Sequence, residues 1–292
     1  MSAILPLYPL ENPMPKAQAD APIGIFDSGV GGLSVAQEIA NYLPNEHIIY
    51  YADTAHVPYG PRTDQNIREL TAHAIEWLYR QGCKIAVVAC NTASAFSLDF
   101  LREHYGENFP IVGLVPALKP AVLQTKTKVV SVLATPATFR GQLIKDVLHR
   151  FAEPSQVEVL NITCLDLVPY VEKGLQNSQD CKASLKSVLD PIIEKNADYL
   201  VLGCTHYPFL KPTIYDLYGA QLTIVDSGLA VARQTARILF KSELISTTLP
   251  IDKIRLKCFV SGKNAKELEF VLKNLMQSEI TWSIENIVDK LD

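Results

Sequence analysis

The sequence predicts an α/β protein built from two similar doubly wound parallel-sheet domains that face each other across a cleft. Three observations carry that expectation. Short continuous apolar runs, such as Ile85-Ala-Val-Val-Ala and Tyr199-Leu-Val-Leu-Gly, alternate with longer amphipathic stretches. Runs of this kind read as strands buried on both faces, and their alternation with helices indicates parallel sheets. Two of the runs also end alike, on a cysteine followed by residues suited to start a helix: Cys90-Asn91-Thr92-Ala93-Ser94 and Cys204-Thr205-His206-Tyr207-Pro208. Finally, Ile25-Phe-Asp27-Ser28-Gly29 is echoed by Ile224-Val-Asp226-Ser227-Gly228, although a strand followed by Asp-Ser-Gly is also common turn chemistry.

Each element has its own justification. Residues 1–21 are proline-rich and lack both the basic start and the sustained apolar stretch of a signal peptide, so they read as a flexible extension. A strand at 23–26 leads to an amphipathic helix at 33–43. The next strand, at 47–52, opens a loop rich in turn residues over 53–62. The helix at 64–81 has Asp64 near its start and Gly82 placed as its C-cap. The strand into Cys90 follows, then a helix at 94–105, a strand at 111–115, and a helix opened by Pro116 that runs to about residue 124.

A second series begins with a strand at 128–133. The Thr135-Pro136-Ala137-Thr138 turn starts a helix to about residue 151. A strand at 157–161 precedes a helix at 165–173 closed by Gly174, and a polar stretch leads to a helix ending near Lys195. The strand into Cys204, a strand at 222–225, and a helix from Gly228 to about Leu239 come next. The remainder, 253–292, reads as strand, helix and strand.

Composition narrows the function classes. A chain of 292 residues has room for two domains. With 48% hydrophobic and 20% charged residues it has the balance of a soluble globular protein. A net charge of −4 leaves no basic footprint for nucleic acid. The longest apolar runs are too short to span a membrane, and a cytoplasmic location is expected. Six cysteines are few for a disulfide framework, and without a CxxC or HxxxH pair the signal for zinc is weak.

The chemistry concentrates at strand ends. In open α/β sheets, ligands bind at the carboxyl ends of strands. A thiol there lies near a helix N-terminus, whose partial positive charge favours the thiolate. A single buried cysteine is ordinary core material, but the matched Cys90 and Cys204 suggest two thiols facing one ligand. Asp27-Ser28-Gly29-Val30-Gly31-Gly32 follows a strand as a dinucleotide fingerprint would. Ser34 takes the place of the third glycine, however, and Asp27 would repel a pyrophosphate. The turn either presents Asp27 and Ser28 to a small polar ligand, or Asp27 merely caps the following helix.

Tyr59 and Gly60 lie in a strand-to-helix loop, a usual place for binding residues or for a plain solvent turn. Asn91, Thr92 and Thr205 offer donors at helix starts, suited to a carboxylate or to capping alone. His206 is placed to exchange protons with Cys204 or to serve as a structural histidine. Glu172 lies on a helix, where a solvated face is the default.

Taken together, Phe26-Asp27-Ser28-Gly29-Val30-Gly31-Gly32-Leu33-Ser34, Val57-Pro58-Tyr59-Gly60, Val88-Ala89-Cys90-Asn91-Thr92-Ala93 and Gly203-Cys204-Thr205-His206-Tyr207-Pro208 resemble the bacterial glutamate racemases. That resemblance runs from about Ile23 to the last helices. It implies interconversion of L- and D-glutamate with neither metal nor pyridoxal phosphate, supplying D-glutamate for peptidoglycan. Cys90 matches the cysteine that takes the α-proton from D-glutamate, and Cys204 the one acting on L-glutamate. Asp27, Ser28, Tyr59, Gly60, Asn91, Thr92, Thr205 and His206 fall on substrate-binding positions. Asp27 and His206 also match the groups that assist Cys90 and Cys204, and Glu172 matches a glutamate of the family's site.

The resemblance further implies a first domain of 22–115 with 228–292, interrupted by a second of 116–227. Two partners stay open beside the glutamate substrate: a second copy of the chain in a homodimer, and an activating peptidoglycan precursor. A racemase of another acidic amino acid such as aspartate, and a non-catalytic dicarboxylate-binding protein, are the alternatives. The residues agree with the first reading, because inverting a stereocentre by proton transfer requires a base on each face of the α-carbon.

Overall fold

β-Branched and aliphatic runs form the strands, and the computed structural model, which describes residues 17–248, 254–262, 265–276 and 279–287, sets them in two sheets. The strands are β1 (Ile23–Asp27), β2 (Ile48–Ala52), β3 (Ile85–Val88), β4 (Ile111–Gly113), β5 (Val129–Ala134), β6 (Glu158–Ile162), β7 (Tyr199–Gly203), β8 (Thr223–Val225), β9 (Leu256–Val260) and β10 (Trp282–Asn286). The helices are α1 (Leu33–Tyr42), α2 (Asp64–Arg80), α3 (Asn91–Tyr105), α4 (Leu118–Gln124), α5 (Pro136–Arg140), α6 (Gln142–Val147), α7 (Leu167–Glu172), α8 (Gln179–Glu194), α9 (Lys211–Tyr218), α10 (Gly228–Lys241) and α11 (Ala265–Leu275).

Among the described residues, one sheet has the order β10-β9-β2-β1-β3-β4 and the other β6-β5-β7-β8. Every pairing is parallel. The order β2-β1-β3-β4 is thus repeated as β6-β5-β7-β8, and the expected pair of similar α/β sheets is what the chain forms.

Side chains alternate between faces with the two-residue period of a strand. Ile23, Ile25, Ile48, Tyr50, Ile85 and Val87 pack with Leu33 and Ile39 of α1 and with Val231 and Leu239 of α10. On the opposite face Phe26, Tyr51, Ala86 and Val88 meet Ile75 and Leu78 of α2 and Leu98 and Leu101 of α3. In the second sheet Val130, Val132 and Val201 pack with Leu118 and Val122 of α4. Its other face, with Leu133, Leu200 and Leu202, meets α7 and α8 in the same apolar cluster that includes α1 and α10. That continuous core holds the halves together.

Topology also sets where a ligand would sit. From β1 the chain passes to β2 on one side and to β3 on the other, so the carboxyl ends of β1 and β3 border a crevice. β5 repeats the arrangement with β6 and β7. Asp27, Cys90, Thr135 and Cys204 stand at these two crevices.

Four expectations change. The helix after β3 starts at Asn91 rather than at 94, because Cys90 is its N-cap and the sulfur accepts the Ala93 N–H at 3.5 Å. The helix expected from the Thr135 turn to residue 151 is broken at Gly141, whose extended ψ of 150° separates α5 from α6. A Cβ there would lie 2.6 Å from Ala95 Cβ, so the close approach of α3 fixes the break. Past α6 the chain ends in a wide π turn, Leu148–Ala152.

Tyr207–Leu210 and α9 form helical structure that the two prolines at 208 and 212 hid, yet each proline occupies a first-turn position where none is costly. Lastly, the Asp-Ser-Gly echo is not a mark of the internal repeat. It relates β1 to β8, whereas the strand orders relate β1 to β5 and β4 to β8. Asp226 simply accepts the Gly228 N–H at 2.7 Å, as a turn aspartate does.

Of the leading extension, residues 1–16 lie outside the described residues. Residues 17–21 are tied to the first sheet: buried Lys84 donates from Nζ to Ala19 O and to Glu46 Oε2, both at 2.5 Å. Glu46 Oε1 in turn accepts the Ser246 N–H at 2.9 Å. Among the described residues no helix is long and apolar enough to cross a membrane.

Candidate active site

A cavity of about 310 Å³, mouth included, opens between the two sets of strand ends. It gathers nine of the eleven residues singled out from sequence: Ser28, Tyr59, Gly60, Cys90, Asn91, Thr92, Cys204, Thr205 and His206. Of the other two, Asp27 is wholly buried directly behind them and Glu172 is buried against His206. Val57, Pro58, Thr135 and Val168 complete the wall. Both thiols therefore reach one chamber, each from its own sheet.

Their surroundings differ. Cys90 sits at the start of α3 with its sulfur 3.8 Å from Ser28 Oγ. Burial, and then the nearby Asp27 carboxylate, push the Cys90 thiol well above its ordinary pKa, against the opposing pull of the Ala93 N–H. This group is held as a thiol.

Cys204 faces a cation instead. Its sulfur lies 3.7 Å from His206 Nδ1, and His206 Nε2 lies 2.7 Å from Glu172 Oε1. Burial works against charge on the ring, but the hydrogen bonds to Cys204 and Glu172 outweigh it and carry the imidazole well above its usual pKa. The Val30 N–H donates to the same Glu172 oxygen at 2.8 Å. Glu172 is thus a buried member of the site, not the solvated helix residue that its position on α7 allows.

Asp27 anchors the turn that leads into α1. Oδ2 accepts the Gly32 N–H at 2.8 Å, which pins the turn into α1, and Thr205 Oγ1 approaches from the other half at 3.3 Å. Burial raises its pKa to about 6, with His206 pulling the other way. A folded-state pKa above the unfolded value means that ionising Asp27 costs stability as pH rises from about 4 through 6. Asp27 makes no hydrogen bond to Cys90 among those described, so the two are coupled through charge.

The glycine turn between β1 and α1 lies flush against the His206–Glu172 pair. A Cβ on Gly29 would come within 2.0 Å of Glu172 Oε1, and one on Gly31 within 2.4 Å of His206 Nδ1. Tyr50 Oη holds the turn by donating to Gly29 O at 2.7 Å. Ser34 Oγ lies 2.9 Å from both Gly31 O and Thr205 O, bridging the halves.

On the opposite wall Thr92 Oγ1 is 2.8 Å from Thr135 Oγ1, which is 3.0 Å from Thr138 Oγ1. Among the described residues, Asn91 Oδ1 is buried without a hydrogen-bond partner. Such an acceptor carries a desolvation cost that a ligand donor would relieve. Sequence reading named Thr135 only as a turn residue and passed over Tyr50, Val168 and Asp53, because nothing local ties them to the cavity. The repeated strand order is the signal that could have found Thr135, since β5 stands to β7 as β1 stands to β3. Among the described residues no group of three or more His, Cys, Asp or Glu is arranged to hold a metal ion.

Residues 23–235 match the Asp/Glu/Hydantoin racemase family. The chain belongs to that family. By that membership it is an isomerase. It is 53% identical over 231 residues to the glutamate racemase of Deinococcus radiodurans, covering 79% of each chain. The crystal structure of Escherichia coli glutamate racemase, in complex with L-glutamate and the activator UDP-MurNAc-Ala, superposes with a TM-score of 0.78 at 33% identity. That similarity covers 92% of this racemase and 98% of the E. coli chain. Glutamate racemase from Francisella tularensis in complex with D-glutamate gives a TM-score of 0.76 at 29% identity, covering 92% and 98%.

Proposed function

We propose that this racemase interconverts L- and D-glutamate by two-base proton transfer between Cys204 and Cys90, with no metal and no organic cofactor. The observation that carries the reading is the delivery of two thiols, in unlike electrostatic surroundings, from equivalent strand ends into one cavity. The named activity of relatives at 53% and 33% identity supports the choice of glutamate.

The geometry gives each group a role. In the L to D direction Cys204, as thiolate beside the His206 imidazolium, takes the α-proton on one face. Cys90, held as a thiol, delivers its own proton to the opposite face of the α-carbon. The enzyme then carries the proton on the other sulfur and is ready for the reverse reaction. Asn91 Oδ1 is the acceptor for the substrate ammonium. Ser28, Thr92 and Thr205, with the backbone N–H groups of Tyr59 and Gly60, serve the carboxylates. Charge that develops on the α-carbon is stabilised in a chamber with little room for water, where fixed dipoles act strongly.

We further infer that the units are 22–115 with 228–292 and 116–227, a division supported by which strands share a sheet. The D-glutamate would serve peptidoglycan synthesis in the cytoplasm. Pairing into a homodimer and activation by a peptidoglycan precursor belong to the same reading, the latter supported by the activator in the E. coli relative.

The enzyme, dialysed exhaustively against a strong chelator, is given each enantiomer of glutamate and of aspartate, and optical activity is followed. Both glutamate solutions are expected to approach zero rotation while the aspartate solutions keep theirs. Conversion of aspartate but not glutamate would reassign the substrate. Loss of activity on chelation that zinc restores would remove the two-thiol mechanism.

A further inference from the structure

We propose that Asp53 is the positioning residue of the substrate-binding loop, its carboxylate joining Tyr59 of that loop to Ser261 of the C-terminal segment. The inference rests on the proposed glutamate racemase activity and extends it to a residue outside the cavity. Asp53 directly follows β2 and begins the loop over 53–62 that presents Tyr59 and Gly60. Its side chain is buried, and three groups from different points of the chain converge on it. Tyr59 Oη donates to Oδ2 at 2.6 Å, Ser261 Oγ donates to Oδ1 at 2.7 Å, and His56 Nδ1 lies 2.8 Å from Oδ1. The Asp53 N–H in turn donates to Asp27 O at 3.0 Å, which fixes the hub to the end of β1.

The C-terminal segment is fitted to this loop. Immediately past β9, the Ser261 N–H donates to Ala52 O at 3.1 Å, and Ser261 Oγ accepts the Ala55 N–H at 3.1 Å. The Gly262 N–H donates to Thr54 Oγ1 at 3.3 Å. A Cβ on Gly262 would come within 2.5 Å of Ala55 Cα, so the two backbones touch with no space for a side chain. At the far end of the loop, Arg62 Nε donates to His56 O at 2.8 Å, with its guanidinium 6.0 Å from the centre of the Tyr59 ring.

The hub dictates what Tyr59 contributes. Burial first, and then the Asp53 charge, raise the phenol far above its usual pKa, so its hydroxyl remains a donor committed to Asp53. With the Tyr59 hydroxyl committed and its ring packed near Phe26 and Arg62, the loop offers substrate its backbone. Asp53 touches neither thiol nor His206 among the contacts described, so its influence falls on binding and not on proton transfer. A loss of loop position weakens both enantiomers alike, because they share the carboxylate that the loop holds.

The test is steady-state kinetics in both directions for Asp53→Ala, Asp53→Asn and Ser261→Ala. In Asp53→Ala, loss of a charge-assisted hydrogen bond to Tyr59 is expected to raise KM about tenfold or more, equally for L- and D-glutamate, with kcat changed less than about threefold. Asp53→Asn should recover most of the loss, because the amide oxygen still accepts the Tyr59 O–H. Folded Asp53→Ala protein with a lowered melting temperature but an unchanged KM would overturn the proposal and leave Asp53 a purely structural residue. Should Asp53→Ala fail to fold, Ser261→Ala decides: a KM raised about twofold to threefold for both enantiomers supports the hub, and an unchanged KM overturns it. The unmodified enzyme separates the two levels, since absence of glutamate turnover there would sink the functional reading itself.

Discussion

Serine in place of either Cys90 or Cys204 abolishes racemisation, with kcat expected to fall by about 10³-fold or more, because a positioned acid or base alone is worth about 10²–10⁴. A serine hydroxyl is far less acidic than a thiol and cannot serve as the base. The two variants should nevertheless stay distinguishable. Elimination from a β-halogenated glutamate analogue needs only one deprotonation, so each variant retains it for a single enantiomer. Cys90→Ser keeps the Cys204, His206 and Glu172 assembly and should process the L-configured analogue. Cys204→Ser should process the D-configured one. A shared enantiomeric preference would show that the two thiols do not face opposite sides of the α-carbon.

The second large effect comes from a single methyl group. Gly31→Ala would place a Cβ 2.4 Å from His206 Nδ1, on the ring atom that faces Cys204. Neither side can yield easily: His206 is held by Glu172 at 2.7 Å, and the turn is held by Asp27 at Gly32 and by Tyr50 at Gly29. The ring must therefore rotate or shift, and a displacement of about 1 Å in such a group costs about 10²-fold in rate. Overpacking at a buried site also costs about 1–3 kcal/mol of stability. The loss should be greater for elimination from the L-configured analogue than from the D-configured one, because the disturbed ring serves Cys204. Comparing the two rates in Gly31→Ala with those of the unmodified enzyme measures this. Equal losses would mean that the methyl group disturbs the whole cleft.

The fold was legible wherever an element carried its own periodicity. The apolar strands into Cys90 and Cys204, and helices such as α2 with a C-cap glycine, satisfy local rules. Gly141 failed that way, since the reason for its break is the approach of Ala95 from α3, a contact no local pattern encodes. Among site residues, the cysteines were visible because a strand-end thiol next to capping residues is unusual and occurred twice. Glu172 and Asp53 were hard to read for the opposite reason. On their own segments they look like solvated acids, and only long-range partners, Val30 and His206 for one and Ser261 for the other, show them as buried hydrogen-bonded groups. At Asp27 a structural role does not exclude an electrostatic one, because the carboxylate that pins the turn into α1 also lies close enough to push up the Cys90 thiol.

The most direct measurement is the fate of the α-hydrogen when L-glutamate is converted in deuterated water. With two bases, Cys204 removes the proton while Cys90, already equilibrated with solvent, delivers a deuteron to the other face. The first D-glutamate formed should carry deuterium at the α-carbon, while the L-glutamate still present keeps its protium. Starting from D-glutamate, the pattern should reverse. Deuterium entering substrate and product equally from the outset, or product that retains the original protium, would mean that one base serves both faces and would contradict the account.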